Sequence, residues 1–174
     1  MSARVWQISA LAVLIAGLAL YLTWLGDMAL TDRDEGEYAA AVAAMERNHD
    51  YVVPTLNGKP YLEKPILIFW AVAAGQYLTG QGELGARLPS AVSAILLMLF
   101  TGWLVWRTAG SLAPGVLAAA LVGFTPLMAL VGRACLTDAM LALFTTLSLG
   151  LFFLATEKDA PDGRPWDLAA WAAL

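Results

Sequence analysis

The sequence predicts an all-α integral membrane protein, and three observations predict it. First, 60% of the 174 residues are hydrophobic and only 14% are charged, where soluble domains run at roughly 45–50% and about 25%; mean hydropathy is +0.68. Second, runs free of acids and bases recur along the chain at lengths that suit a bilayer core. Third, the charge that exists is gathered. Residues 26–87 hold Asp27, Asp32, Asp34, Glu35, Glu37, Glu46, Asp50, Glu63 and Glu83, half of the bases, and the only histidine, His49. Charge collects where water reaches the chain.

The same composition narrows the function classes. A net charge of −4 with no basic run gives no footprint for nucleic acid. The single cysteine, Cys135, allows no internal disulfide and no cysteine-based metal centre. A small core residue is the expected role.

The elements follow in order. Residues 5–25 are apolar, preceded by Arg4, and long enough to cross a hydrocarbon core of roughly 20 helical residues. A cleaved leader has a shorter apolar region of about 7–15 residues and a small-residue cleavage site, so this run is expected to be a retained anchor. Residues 26–87 form a large polar loop. Inside it, 37–45 fits a surface helix with Tyr38, Ala41, Val42 and Met45 on one face. The apolar stretch 66–78 is too short for a span and is expected to lie at the interface. Tyr51 and Tyr61 before it, with Trp70 and Tyr77 inside it, suit an aromatic belt.

Three further spans are expected at 88–106, 112–131 and 139–156. Arg87 and Pro89 open the first, since proline is tolerated in a first helical turn. Residues 157–167 contain Pro-Asp-Gly-Arg-Pro, a turn-rich polar loop. Residues 168–174 begin another apolar run, too short to cross a bilayer, so a further span is expected to continue past Leu174.

With four spans and the N-terminus inside, the large loop and the Arg133–Asp138 corner share the outer side; a crossing at 66–78 would separate them. The positive-inside rule opposes this orientation. It leaves Arg4, Arg107, Lys158 and Arg164 inside against Arg33, Arg47, Lys59, Lys64, Arg87 and Arg133 outside. The N-inside arrangement is kept because loop bases can serve a phosphate site.

Three clusters can carry chemistry. Asp34-Glu35-Gly36-Glu37-Tyr38-Ala39 offers paired carboxylates for general-base work or a metal; the alternative is an acidic helix start favoured by the dipole. Asn57-Gly58-Lys59-Pro60-Tyr61-Leu62-Glu63-Lys64-Pro65 turns and then places a lysine at the membrane edge, where it can hold a lipid phosphate as a point charge or merely snorkel. Arg133 and Thr137-Asp138 sit at a span edge, where ionisable groups default to functional hypotheses; Asp138 can equally cap the last span.

Taken in order, Asp34-Glu35-x-x-Tyr38-Ala39, Val53-Pro54-x-Leu56-Asn57-Gly58, Tyr61-Leu62-Glu63-Lys64-Pro65 and Ala86-Arg87-Leu88-Pro89-Ser90 resemble glycosyltransferase family 39. That family holds protein O-mannosyltransferases and the bacterial aminoarabinose transferases that modify lipid A, and the likeness covers nearly the whole chain. The resemblance implies an N-terminal part of a GT-C-type transmembrane helix bundle with juxtamembrane helices, incomplete in this chain. It implies inverting sugar transfer from a polyprenyl-phosphate donor to a lipid or protein acceptor. The setting would be a bacterial inner membrane, with the catalytic loop on the periplasmic side.

By resemblance, Asp34 matches the catalytic aspartate, with Glu35 as its acidic partner and Asp138 as a second functional aspartate. Lys64 is placed near the donor phosphate, and Tyr38 belongs to the substrate-binding set. Glu63 matches a zinc-binding glutamate whose other ligand would lie beyond Leu174. The chemistry agrees, because a leaving phosphate needs cations, which Lys64, Arg87 or Arg133 supply. Glu37 stands where the aminoarabinose enzymes usually carry arginine, and an acid there repels a phosphate-bearing acceptor. A non-catalytic membrane protein, either a transporter fragment or a lipid-binding subunit, is the competing class.

Overall fold

The computed structural model describes residues 3–31, 33–80 and 82–157. The first helix, α1 (Ala3–Leu22), is the N-terminal apolar run; it ends before Leu25 and gives way to turns. Next comes α2 (Arg33–Asn48), which buries Tyr38, Ala41, Val42 and Met45 at the spacing read from the sequence, and Glu35 as well. Asp34 and Glu35 in its first turn and Arg47 in its last complement the helix dipole.

A short antiparallel hairpin follows, β1 (Thr55–Leu56) against β2 (Lys59–Pro60). Asn57 and Gly58 turn it with φ of 52° and 77°, the left-handed pair that a two-residue hairpin of matching twist demands. The Tyr61 N–H then donates to the Pro54 carbonyl at 2.8 Å and closes the base of the hairpin. Helix α3 (Ile66–Thr79) has 14 residues, about 21 Å at 1.5 Å each, short of the roughly 30 Å core. It presents Ile68, Phe69, Val72 and Gly75 inward and leaves Leu67, Trp70, Tyr77 and Leu78 exposed.

Helix α4 (Gly82–Ala109) is longer than its apolar part, with 28 residues. It begins well before the expected 88, so Arg87 and Pro89 lie inside it and do not open it. The polar start is stabilised by Glu83 in the first turn and by a glycine contact with α3. Pro89 has no N–H for the Gly85 carbonyl. A Cβ on Gly75 would sit 2.2 Å from that oxygen, so the bare Gly75 Cα–H faces it.

The run 112–131, expected as one span, is two helices, α5 (Leu112–Gly123) and α6 (Pro126–Val131). Pro126 is the cause. The residue before a proline is driven out of the helical region, and Thr125 has φ −62° and ψ 130°; Pro126 then starts α6 with its φ preset. At 12 residues, α5 is too short to cross alone. After the α6–α7 corner, α7 (Asp138–Glu157) runs 20 residues. Among the described residues α1, α4 and α7 are long and apolar enough to cross a membrane. Residues 158–167 of the expected polar loop and the run 168–174 lie outside the described residues.

Helix α4 is central and packs on α1, α3, α5 and α7. Its approach to α5 depends on small residues, the usual basis of helix contact in lipid: a Cβ on Gly115 would lie 2.7 Å from the Gly102 carbonyl oxygen. Long-range bonds then gather one end of the bundle. The Tyr21 hydroxyl donates to Gly123 O at 2.7 Å, Arg133 caps α1 at Leu20 O and Thr23 O, and Cys135 N–H reaches Glu35. The α6–α7 corner therefore meets the large polar segment at the same end. There α2, α3, Tyr61, Ala86 and Cys135 share a core.

Candidate active site

The site grows from the first turn of α2. Asp34 lies there, partly exposed, and the Lys64 ammonium donates to its Oδ2 at 3.2 Å. Lys64 comes from the bend before α3, thirty residues on. The Tyr38 hydroxyl, one turn after Asp34, donates to the same oxygen at 3.5 Å, and the Lys64 ammonium lies 5.5 Å from the Tyr38 ring centre, in cation–π range. The Asp34 side chain keeps 36% of its surface exposed.

Tyr38 is fully buried and packs edge-on against Phe69 at 5.8 Å, which also meets Tyr61 at 5.9 Å. This aromatic stack fixes α2 on α3 and so sets the reach of Lys64. The Tyr38 hydroxyl and the Asp34 carboxylate hold the Lys64 ammonium charged well above the ordinary lysine range. Burial raises the Tyr38 phenol in turn, and the Thr137 hydroxyl lies beside it. Thr137 immediately precedes Asp138, the exposed first residue of α7. The α6–α7 corner approaches Tyr38 through Thr137.

Glu35 and Arg87 are placed differently from Asp34 and Lys64. Both are buried, at 2% and 6% exposure. Arg87 Nε donates to Glu35 Oε1 at 2.8 Å and Nη2 to Oε2 at 2.9 Å, a two-pronged pair. The remaining Arg87 donors go to the carbonyls of Leu25, Met28 and Ala29 at 3.1, 2.8 and 3.0 Å. Glu35 also accepts from Thr31 N–H at 3.1 Å and Cys135 N–H at 2.8 Å. Burial alone would raise the Glu35 carboxyl, but Arg87 and the two backbone donors outweigh it and hold it at about 2. Arg133 is likewise committed, to the C-terminal carbonyls of α1. Of the three cations named as phosphate partners, Lys64 is the one at Asp34.

Glu63 is exposed beside this centre. Among the described residues no three His, Cys, Asp or Glu side chains gather as a metal site. One exposed carboxylate of this chain does not by itself make a zinc centre.

A network that the sequence did not announce surrounds Glu37. Arg33 Nε donates to Oε1 at 2.8 Å and the Tyr61 hydroxyl to Oε2 at 2.8 Å. These two donors, Arg33 first, hold the Glu37 carboxyl below its ordinary value. Only the four-residue spacing of Arg33 and Glu37 was visible as a helical pair. Next to the site, Pro65, Leu67 and Ile68 at the α3 start and Thr137, Met140, Leu141 and Phe144 at the α7 start line an apolar cleft of about 320 Å³.

The family model for dolichyl-phosphate-mannose-protein mannosyltransferase matches residues 4–174. The undecaprenyl phosphate-alpha-4-amino-4-deoxy-L-arabinose arabinosyl transferase of Edwardsiella ictaluri is 29% identical over 144 residues, 83% of this chain and 26% of its own length. A transferase of the same description from Pseudomonas fluorescens is 32% identical over 168 residues, 95% of this chain and 28% of its own length. The chain thus spans little more than a quarter of these relatives. The crystal structure of ArnT from Cupriavidus metallidurans bound to undecaprenyl phosphate matches with a TM-score of 0.72 at 26% identity, covering 99% of this chain and 30% of that one. The fold is that of a GT-C membrane bundle, and the chain belongs to the dolichyl-phosphate-mannose-protein mannosyltransferase family of glycosyltransferases.

Proposed function

We propose that the protein containing this chain is a membrane glycosyltransferase of the bacterial inner membrane. It takes a sugar from a polyprenyl-phosphate donor and passes it to an acceptor on the extracytoplasmic side. The observation that carries the reading is Lys64 at 3.2 Å from Asp34, beside an apolar cleft between α3 and α7. A lipid phosphate needs both a cation for its head and an apolar path for its chain. The solved relative was crystallised with undecaprenyl phosphate, a ligand of this class.

The donor phosphate meets the Lys64 ammonium, which frees the Asp34 carboxylate from its ion pair. An acceptor hydroxyl gives its proton to Asp34 as its oxygen attacks the anomeric carbon, from the face opposite the phosphate. The sugar–phosphate C–O bond breaks, its electron pair stays on the phosphate, and Lys64 balances that charge. Configuration inverts. A phosphate acceptor is already ionised and needs no base; Asp34 would then orient the donor. Glu37, held by Arg33 and Tyr61 beside the centre, offers a phosphate-bearing acceptor no cation, which favours the hydroxyl. Asp138 completes the acceptor side from the start of α7, and Glu63 borders it.

Asp34→Asn in the full-length protein is expected to lower transfer from a polyprenyl-phosphate sugar by about 10²-fold or more, the scale of a lost general base, with folded yield unchanged. Wild-type turnover in that variant would remove Asp34 from the mechanism. Lys64→Ala is expected to weaken binding of polyprenyl phosphate itself. Binding unchanged by that substitution would place the donor elsewhere.

A further inference from the structure

The buried pair left over by this mechanism joins the α1–α2 connection, α2, α4 and the α6–α7 corner. Arg87 on α4 holds the carbonyls of Leu25, Met28 and Ala29, the stretch that leads from α1 toward α2. Glu35 on α2 holds Arg87 on one side and the Cys135 N–H of the α6–α7 corner on the other. A second bridge supports the same corner: Ser90, three residues after Arg87 on α4, donates its hydroxyl to Leu136 O at 2.9 Å and accepts from Leu136 N–H at 3.3 Å. No buried side-chain polar atom here lacks a partner among the described residues.

What this hub fixes is the site. Asp34 is the residue before Glu35, and Thr137 and Asp138 follow Cys135 within one turn. The Glu35–Cys135 bond is therefore a strut between the two halves of the active centre, one on α2 and one at the start of α7. We propose that Glu35 and Arg87 are positioning residues, which set the placement of Asp34 against the α7 N-terminus and touch neither donor nor acceptor. Glu35 is thereby moved from chemistry to support, and Arg87 from phosphate binding to support. The inference rests on the functional reading above for its kinetic consequence, and on geometry alone for its structural one.

The pair must be tested without leaving one buried charge alone, because removing one partner is far more damaging than replacing both. In the full-length protein, the double variant Glu35→Gln with Arg87→Met is expected to stay folded and to bind polyprenyl phosphate within about twofold of wild type. Its kcat is expected to fall at least about tenfold, as for a catalytic group displaced by a fraction of an ångström, with donor KM little changed. Arg87→Lys, which keeps the charge but not the fork, is expected to fall between. A raised KM with unchanged kcat would make the pair substrate-binding, and wild-type kcat in the double variant would make it a stability element only; either overturns the proposal.

A second readout is independent of catalysis. Spin labels at Ala40→Cys on α2 and Thr145→Cys on α7, both exposed positions, are expected to give one narrow distance distribution in wild type and a broadened or shifted one in the double variant or in Arg87→Lys. An unchanged distribution overturns the strut whatever the enzyme does. A full-length protein that transfers no sugar, with a distribution that broadens as expected, would sink the functional reading and leave the strut standing.

Discussion

Glu35 and Arg87 make the acid response of the protein predictable. The Glu35 carboxyl titrates at about 2 in the fold against an ordinary 4.5. Below 4.5 the unfolded chain takes up a proton that the folded chain refuses, so this group's stabilisation, complete above 4.5, drains away as pH falls toward about 2. Thermal unfolding of the full-length protein between those values is expected to show a loss that is smaller in Glu35→Gln, which has no proton to gain. The single variant is also expected to lose about 3–5 kcal/mol near neutrality, because it strands the Arg87 charge. Equal pH slopes in the two proteins would count against the assignment. The pairing was not legible in the sequence: the partners are 52 residues apart, and adjacent acids such as Asp34 and Glu35 look alike on paper. The fold separates them, one turned to the site and one to Arg87.

At the scale of elements, the readable features were periodicity and turn chemistry. The buried face of α2, the interfacial length of α3 and the Asn57-Gly58 turn all follow local rules. Apolar length alone does not set the other boundaries. Pro126 divides the run 112–131 because the residue before a proline leaves the helical region. The polar stretch 82–87 joins α4 because its partners, Gly75 and Glu35, come from other elements. The glycine contact gives a paired test. In Gly75→Ala the new methyl would sit 2.2 Å from a backbone oxygen of α4, so α3 must shift, at a cost of about 1–3 kcal/mol. In Gly36→Ala nothing lies within 4 Å of the new atom, and a helix interior gains up to about 1 kcal/mol from the exchange. Opposite signs of ΔTm are expected for the two alanines; a harmless Gly75→Ala would mean that α3 and α4 are not in backbone contact.

At the scale of the whole molecule, charge counted over the bare sequence and the chemistry of the site favour opposite orientations. The structure changes how the bases should be weighed. Arg87, Lys64, Arg33 and Arg133 each bond an internal partner, so four of the six bases assigned to the outer side have a structural reason to be there. The polar segment is also near the length, roughly 60 residues, above which loops translocate largely regardless of their charge. Setting it aside leaves Arg4, Arg107, Lys158 and Arg164 on one side against Arg133 on the other, and the rule then agrees with an N-terminus inside. If α3 lies at the interface, as its length suggests, the Cys135–Glu35 bond puts the α6–α7 corner on the same side as Asp34, with the α4–α5 turn opposite. Cysteines introduced at Asp50 and Ser111, both exposed, report on this directly, and the buried Cys135 stays silent. Ser111 suits the purpose better than its neighbour Gly110, whose φ of 66° resists a side chain. An impermeant thiol reagent on intact cells is expected to label the Asp50 position at once and the Ser111 position only after the membrane is opened. The reverse pattern would put the catalytic loop in the cytoplasm, where an extracytoplasmic acceptor could not reach it. Labelling of both from outside would mean that α4 does not span.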